Sequence, residues 1–271
     1  MRKIPLYLGF FMVGFVVLLA MISLIWTPYD PTQVTPDRLL NPSICHLMGT
    51  DGFGRDIFSR ILVGARSCLL VGVVSVTIGA LVGVPTGIIA ALVKRSWAQA
   101  IMRAADIMYA FPAILLAILF AAARGSGSTW TAMSAIGIAS IPAFIRVARN
   151  ATVQVVRQDY IAAARLAAIP AWTIAIRHIV PNIASVILVQ ASVSFGLAIL
   201  AEAALSYLGL GTPVTTPTWG RMIFEAQPYL YSDLALAIWP GIFIAIAVLG
   251  FNVLGDGLRE LLDPTLDEME W

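Results

Sequence analysis

Residues 146–182 read RVARNATVQVVRQDYIAAARLAAIPAWTIAIRHIVPN, and the reading of this stretch decides the fold. It sets Arg146, Arg149, Arg157, Arg165 and Arg177 against a single acid, Asp159. Its apolar residues recur at helical spacing, and Pro170 and Pro181 divide it. Uncharged apolar runs flank it on both sides. A polar segment hung between such runs predicts short helices that lie on a membrane surface and meet another protein there.

Composition agrees. The 271 residues are 59% hydrophobic and 12% charged, with a mean hydropathy of +0.88. Soluble domains carry about 25% charged residues, so the expectation is an all-α integral membrane protein with no separate soluble domain. A net charge of +2 on dispersed arginines excludes a nucleic-acid surface. Cys45 and Cys68 read as unpaired small hydrophobes.

A helix crossing the roughly 30 Å hydrocarbon layer needs about 20 residues. Six transmembrane helices are predicted: Leu6–Trp26, Ser67–Val93, Ile107–Ala123, Thr129–Ile145, Ile183–Leu208 and Leu234–Gly255. The first follows Arg2 and Lys3 and is longer than the apolar region of a signal peptide, so it reads as a retained anchor. Pro28, Pro31, Pro36 and Pro42 keep the next segment extended. Within GTDGFGRDIFSRILVGARS, residues 49–67, the residues Ile57, Phe58, Ile61, Leu62 and Ala65 share one helical face, opposite Ser59 and Arg60. That pattern predicts a short helix in the interface, apolar side down; a plain connecting loop is the alternative. The chain then divides into 1–66, an anchor helix plus external segment with its interfacial helix, and 67–271, a five-helix core with a cytoplasmic loop at about 148–182.

Gly79, Gly83 and Gly87 are spaced by four and predict a face where a second helix comes close, although glycine is common in membrane helices anyway. Arg124-Gly-Ser-Gly-Ser reads as a tight polar turn, and residues 209–233 as an external loop. Six spans put both termini on one side. Arg2, Lys3, Lys94, Arg95, Arg103, the five central arginines and Arg259 share that side, which the positive-inside rule makes cytoplasmic. Arg38, Arg55, Arg60, Arg66, Arg124 and Arg221 fall outside.

No enzyme constellation is visible, and no catalytic residue is expected. Lys3 and Lys94 follow Arg2 and Val93, so there is no Gly-Lys-Ser/Thr phosphate loop. His46 and His178 fall on opposite sides, which leaves no metal site. Any ATP used must be bound by another subunit. Glu202 sits roughly 9 Å inside the fifth span, at 1.5 Å per residue. A charge there must face a polar cavity, be protonated, or find a partner such as Arg66 or Arg221. It reads either as a pathway or outer-gate residue or as a helix-packing anchor.

Four blocks then carry a resemblance. They are Gly49-Thr-Asp-Gly-Phe-Gly-Arg-Asp-Ile-Phe-Ser-Arg60 with Gly64-Ala-Arg66; Asp159-Tyr-Ile-Ala-Ala-Ala-Arg165 through Ile179-Val-Pro-Asn182; Glu202-Ala-Ala-Leu-Ser-Tyr-Leu-Gly-Leu-Gly211 with Pro217-Thr-Trp-Gly220; and Gly255-Asp-Gly-Leu-Arg259 with Asp263-Pro264. In this order the chain resembles the inner-membrane permease subunits of ABC importers for dipeptides, oligopeptides or nickel. The likeness runs from about Leu6 to Pro264.

The resemblance implies a type I ABC importer permease fold in the bacterial inner membrane. It also implies partners: a second permease subunit forming a heterodimer, two cytoplasmic ATPases that carry ATP and magnesium, an extracytoplasmic substrate-binding protein, and lipid. The loop would couple to the ATPases through Asp159, Tyr160, Ile161, Ala162, Ala163, Ala164, Arg165 and Leu166 in one helix, Ala168 and Pro170 at a bend, and Trp172, Ile176 and Arg177 in the next. The loop departs from the family pattern at Ala162, where glutamate is usual, and at Ala168, where glycine is usual. Alanine is disfavoured at 168 if that position needs a positive φ. The first loop helix should end near Ala168, and a second should run from Pro170 to Val180 and be stopped by Pro181. No cluster of His, Cys or carboxylates favours nickel, so a peptide is the expected solute. An ion-coupled secondary transporter and a non-transporting membrane scaffold are the competing classes.

Overall fold

The computed structural model describes residues 4–124, 128–209, 211 and 216–262; most of the turn expected after Arg124 and part of the loop after Leu208 lie outside them. Every regular element among them is helical. In order they are α1 (Ile4–Ile25), α2 (Ile57–Leu92), α3 (Arg95–Tyr109), α4 (Ala113–Arg124), α5 (Thr129–Val156), α6 (Asp159–Leu166), α7 (Ala171–Ile174), α8 (Val180–Tyr207), α9 (Trp219–Ala226) and α10 (Ala235–Leu262). A π-helical turn, Ala175–Ile179, joins α7 to α8. Five stretches are long and apolar enough to cross a membrane, and α3 with α4 makes a sixth if that bent pair is one span.

The centre of the bundle is α2 against α5. Gly79, Gly83 and Gly87 make this contact possible. A Cβ on Gly83 would stand 2.5 Å from the Phe144 Cβ, and one on Gly87 would stand 2.5 Å from the Ile145 carbonyl oxygen. Helices in a membrane associate by such close packing because lipid removes most of the hydrophobic drive. Around this pair stand α8, α10 and α1, with α1 lying along α10.

Three expectations are corrected. The segment after Asp56 is not an interfacial helix. It forms the first turns of α2, which runs unbroken through Arg66. Its apolar face, Ile57, Ile61, Leu62 and Ala65, packs in the protein core with α1, α9 and α10. Periodicity identified the face correctly, but protein rather than lipid covers it. Asp56 starts the helix by accepting the Ser59 N–H at 2.8 Å and the Ser59 hydroxyl at 2.7 Å, an N-cap of the usual kind.

The third span is also not one helix. Chain 107–123 is divided between α3 and α4, which meet at 78°. Pro112 lacks a donor and pushes Phe111 out of the helical region. At 12 residues, α4 is about 18 Å long and too short to cross alone.

Pro181, third, does not stop a helix. It sits in the first turn of α8, and the chain from Ala171 to Tyr207 is helical throughout. In a regular helix the proline ring would strike the carbonyl of Arg177. The π turn takes up this conflict, with the Val180 N–H reaching the Ala175 carbonyl five residues back.

Candidate functional site

Two polar regions lie at opposite ends of α2 and α8. The first is the elbow formed by α6, α7 and the π turn. Ile161 and Ala164 of α6 pack with Ile88 of α2, Ala151 of α5 and Ile174, Ile179 and Ile183. These residues place α6 on the ends of the two central helices. They also correct the expected docking face, because Ile161 is fully buried and anchors the helix instead of presenting it. The outward side of α6 carries Asp159, Tyr160, Ala162, Ala163, Arg165 and Leu166, all exposed. Asp159 lies in its first turn and Arg165 in its last, each at the end where the helix dipole favours its charge.

Ala168 closes α6 at φ 56°. The Ile169 N–H bonds the Ala164 carbonyl at 3.2 Å and the Ala168 N–H bonds that of Arg165 at 3.0 Å. This is the paired closure in which glycine normally occupies the left-handed position. The expected glycine-like site is therefore present, with alanine holding it. After Pro170 the chain turns into α7. Trp172 is 68% and Ile176 63% exposed, and Leu166 reaches 89%; Arg177 is exposed beside them. The Tyr160 ring stands 6.2 Å from that of His178, linking α6 to the π turn. Three large apolar side chains and two arginines thus project from a rigidly anchored elbow.

The second region was missed by sequence reasoning. Arg60 donates through Nη1 to Asp51 Oδ2 at 2.6 Å and through Nη2 to Glu225 Oε2 at 2.8 Å. Arg55 bonds Asp51 Oδ2 through Nε at 2.8 Å and Glu225 through Nη2. Arg221 donates Nε to Glu225 Oε1 at 3.1 Å. Burial would raise the Glu225 carboxyl, but the charges of Arg60 and Arg55 and hydrogen bonds from Arg221 and Arg55 hold it below its ordinary value. This cluster clamps the start of α2 to α9, whose Trp219 donates Nε1–H to the Ile61 carbonyl at 3.1 Å. A Cβ on Gly220 would lie 2.2 Å from the Ala203 carbonyl oxygen, so α9 sits directly on α8. The two pairs four residues apart, Asp51 with Arg55 and Arg221 with Glu225, were the readable signal. Their joining across the chain was not.

The clamp also explains why arginines crowd this end. Arg55 and Arg60 are neutralised by Asp51 and Glu225 and count little as free positive charge. Glu202, in α8, is buried and accepts a hydrogen bond from Ser206 Oγ at 2.6 Å. Among the described residues no group of three or more His, Cys, Asp or Glu side chains could hold a metal ion.

A bundle of membrane-crossing helices, packed through glycine faces and carrying an anchored elbow between α5 and α8, has the architecture of a type I ABC importer permease. Over 74% of this chain and 94% of the other, it superposes on an inward-facing structure of the MetNI methionine ABC transporter with a TM-score of 0.62 at 16% identity. The chain belongs to the family of binding-protein-dependent transport system inner membrane components, whose model matches residues 83–268. It is 42% identical to the glutathione transport system permease protein GsiD of Pectobacterium atrosepticum, over 93% of this chain and 86% of that one. It is 40% identical to the dipeptide transport system permease protein DppC of Alkalihalophilus pseudofirmus, over 95% and 85%. The chain is a transmembrane permease subunit of an ABC importer.

Proposed function

We propose that this subunit moves a small peptide or peptide-like solute across the inner membrane, driven by ATPase subunits that dock on the elbow. The relatives' solutes, glutathione and dipeptides, support the substrate class. In this reading the elbow and both termini are cytoplasmic, and the clamp faces the binding protein. A second, different permease subunit completes the pathway. ATP and magnesium are held by the ATPases, and this chain performs no catalysis.

The observation that carries the reading is the exposure of Leu166, Trp172 and Ile176 beside Arg165 and Arg177. Apolar groups of this size left uncovered on a short segment that also carries arginines fit a protein interface. The short helix beneath them is held from below by Ile161 and Ala164, so force applied to the patch reaches α2, α5 and α8. A Leu166→Glu, Trp172→Glu double variant should fold and insert, lose copurifying ATPase and lose ATP-dependent uptake. Normal assembly and uptake in that variant would reject the reading.

A further inference from the structure

Beside the clamp, the segment before α2 and the helix α9 enclose a cleft of about 530 Å³. That volume lies in the range of sites that hold small molecules. Arg55, Arg60 and Arg221 line it together with Glu225. Counting Asp51, which holds Arg55 and Arg60 from behind, three guanidinium groups meet two carboxylates and leave one positive charge in excess. Glu225 accepts from all three arginines, so its own charge is already engaged.

The donors are not used up. Arg221 is bonded to protein through Nε, and among the described residues no hydrogen bond is made by its two terminal nitrogens. Its side chain keeps 18% of its exposure, which leaves it reachable from the cleft. Arg60 Nε is buried without a partner. Two rings hold guanidinium groups in place: Phe224 lies 4.9 Å from that of Arg221 and Phe53 lies 4.6 Å from that of Arg55. A fixed, ring-backed guanidinium with free paired donors fits a carboxylate, which can take two parallel N–H bonds from it.

We propose that this cleft binds the carboxylate of a small peptidic ligand, with Arg221 as its direct partner and Phe53 and Phe224 as apolar walls. The ligand class rests on the peptide-importer reading above; the carboxylate chemistry rests on the cleft itself. Arg60 backs the site from within, and the surplus charge selects an anion over a neutral analogue. The site stands near the start of α2, and the elbow packs near Ile88 at the other end, about 40 Å away at 1.5 Å per residue. It is therefore separate from the ATPase-docking patch.

The test uses the complex of this chain with its copurifying subunits, in nanodiscs and without the binding protein. N-acetyl-dialanine and its C-terminal amide are titrated by calorimetry and by saturation-transfer NMR. The acid should bind at least tenfold more tightly than the amide, and Arg221→Gln should abolish the difference. Val34 lines the cleft and is 60% exposed. Val34→Glu therefore needs no repacking and should also abolish acid binding, by placing a competing carboxylate at the mouth. Equal binding of acid and amide, or binding of neither, overturns the proposal. So does an Arg221→Gln variant whose probe binding is unchanged; if binding protein, added in a separate assay, then fails to dock, the cleft is a protein socket. ATP-dependent dipeptide uptake into proteoliposomes, with binding protein added, checks the peptide-importer reading separately. Dipeptide uptake alongside equal acid and amide binding rejects the cleft alone; absence of dipeptide uptake rejects the peptide reading and the ligand class drawn from it.

Discussion

The backbone N–H of Ile169 meets the carbonyl of Ala164 at 3.2 Å, and this bond exists because Ala168 between them is held at φ 56°. Alanine in that region costs roughly 1–2 kcal/mol relative to the right-handed one. Ala168→Gly should therefore stabilise α6 by about 1 kcal/mol, the greater backbone freedom of glycine offsetting part of the gain. Hydrogen exchange across residues 159–169 would read this as slower opening. Faster opening would show that the strain is relieved elsewhere.

The contact between α2 and α5 leaves no room at Gly83, whose Cβ would lie 2.5 Å from the Phe144 Cβ and 2.8 Å from the Ile141 carbonyl oxygen. The second neighbour is backbone and cannot rotate away. Gly83→Val should cost about 2–3 kcal/mol by overpacking and lower the thermal midpoint in detergent. Gly241 has nothing within 4 Å and is the matched control, expected to tolerate alanine.

Glu225 has a carboxyl held below its ordinary value of 4.5. A lowered folded value means the charged form is favoured by folding. Its contribution is fully present above the unfolded value near 4.5 and is lost as pH falls through the folded one. Unfolding measured against pH should show stability dropping on the acid side of about pH 4.5. Glu225→Gln should remove that part of the slope and cost about 3 kcal/mol at neutral pH, by leaving buried arginines under-compensated.

The π turn at Ala175–Ile179 exists to carry Pro181 without a clash at Arg177. Pro181→Ala restores a donor and removes the ring, so the turn should relax toward regular helix and the bundle should gain about 1 kcal/mol or more. The elbow would then sit differently on α8. ATP hydrolysis per solute moved should rise although the protein is more stable. An unchanged ratio would make the π turn a packing solution without a role in coupling.

Membrane insertion, the helical class and the existence of the elbow could all be read from the chain alone, because each depends on local composition and period. Uninterrupted apolar length marks the spans, and the arginines between two of them mark the surface segment. The glycine usual at 168 was an expectation of the family resemblance, not of composition or period, and only the structure showed that Ala168 takes the positive φ.

What covers a helical face is not local. The face through Ile57 and Ile61 looks the same against lipid or protein, and only the tertiary structure set it against α1, α9 and α10. Ile161 and Leu166 both looked like docking residues; packing buried one and left the other 89% exposed. Pro112 and Pro181 carry the same constraint, yet one bends the chain by 78° and the other is absorbed in a π turn. Glu225 meets Arg60 across a sequence separation of 165 positions. Period and composition determine which residues point together; the meeting of distant segments decides what they point at.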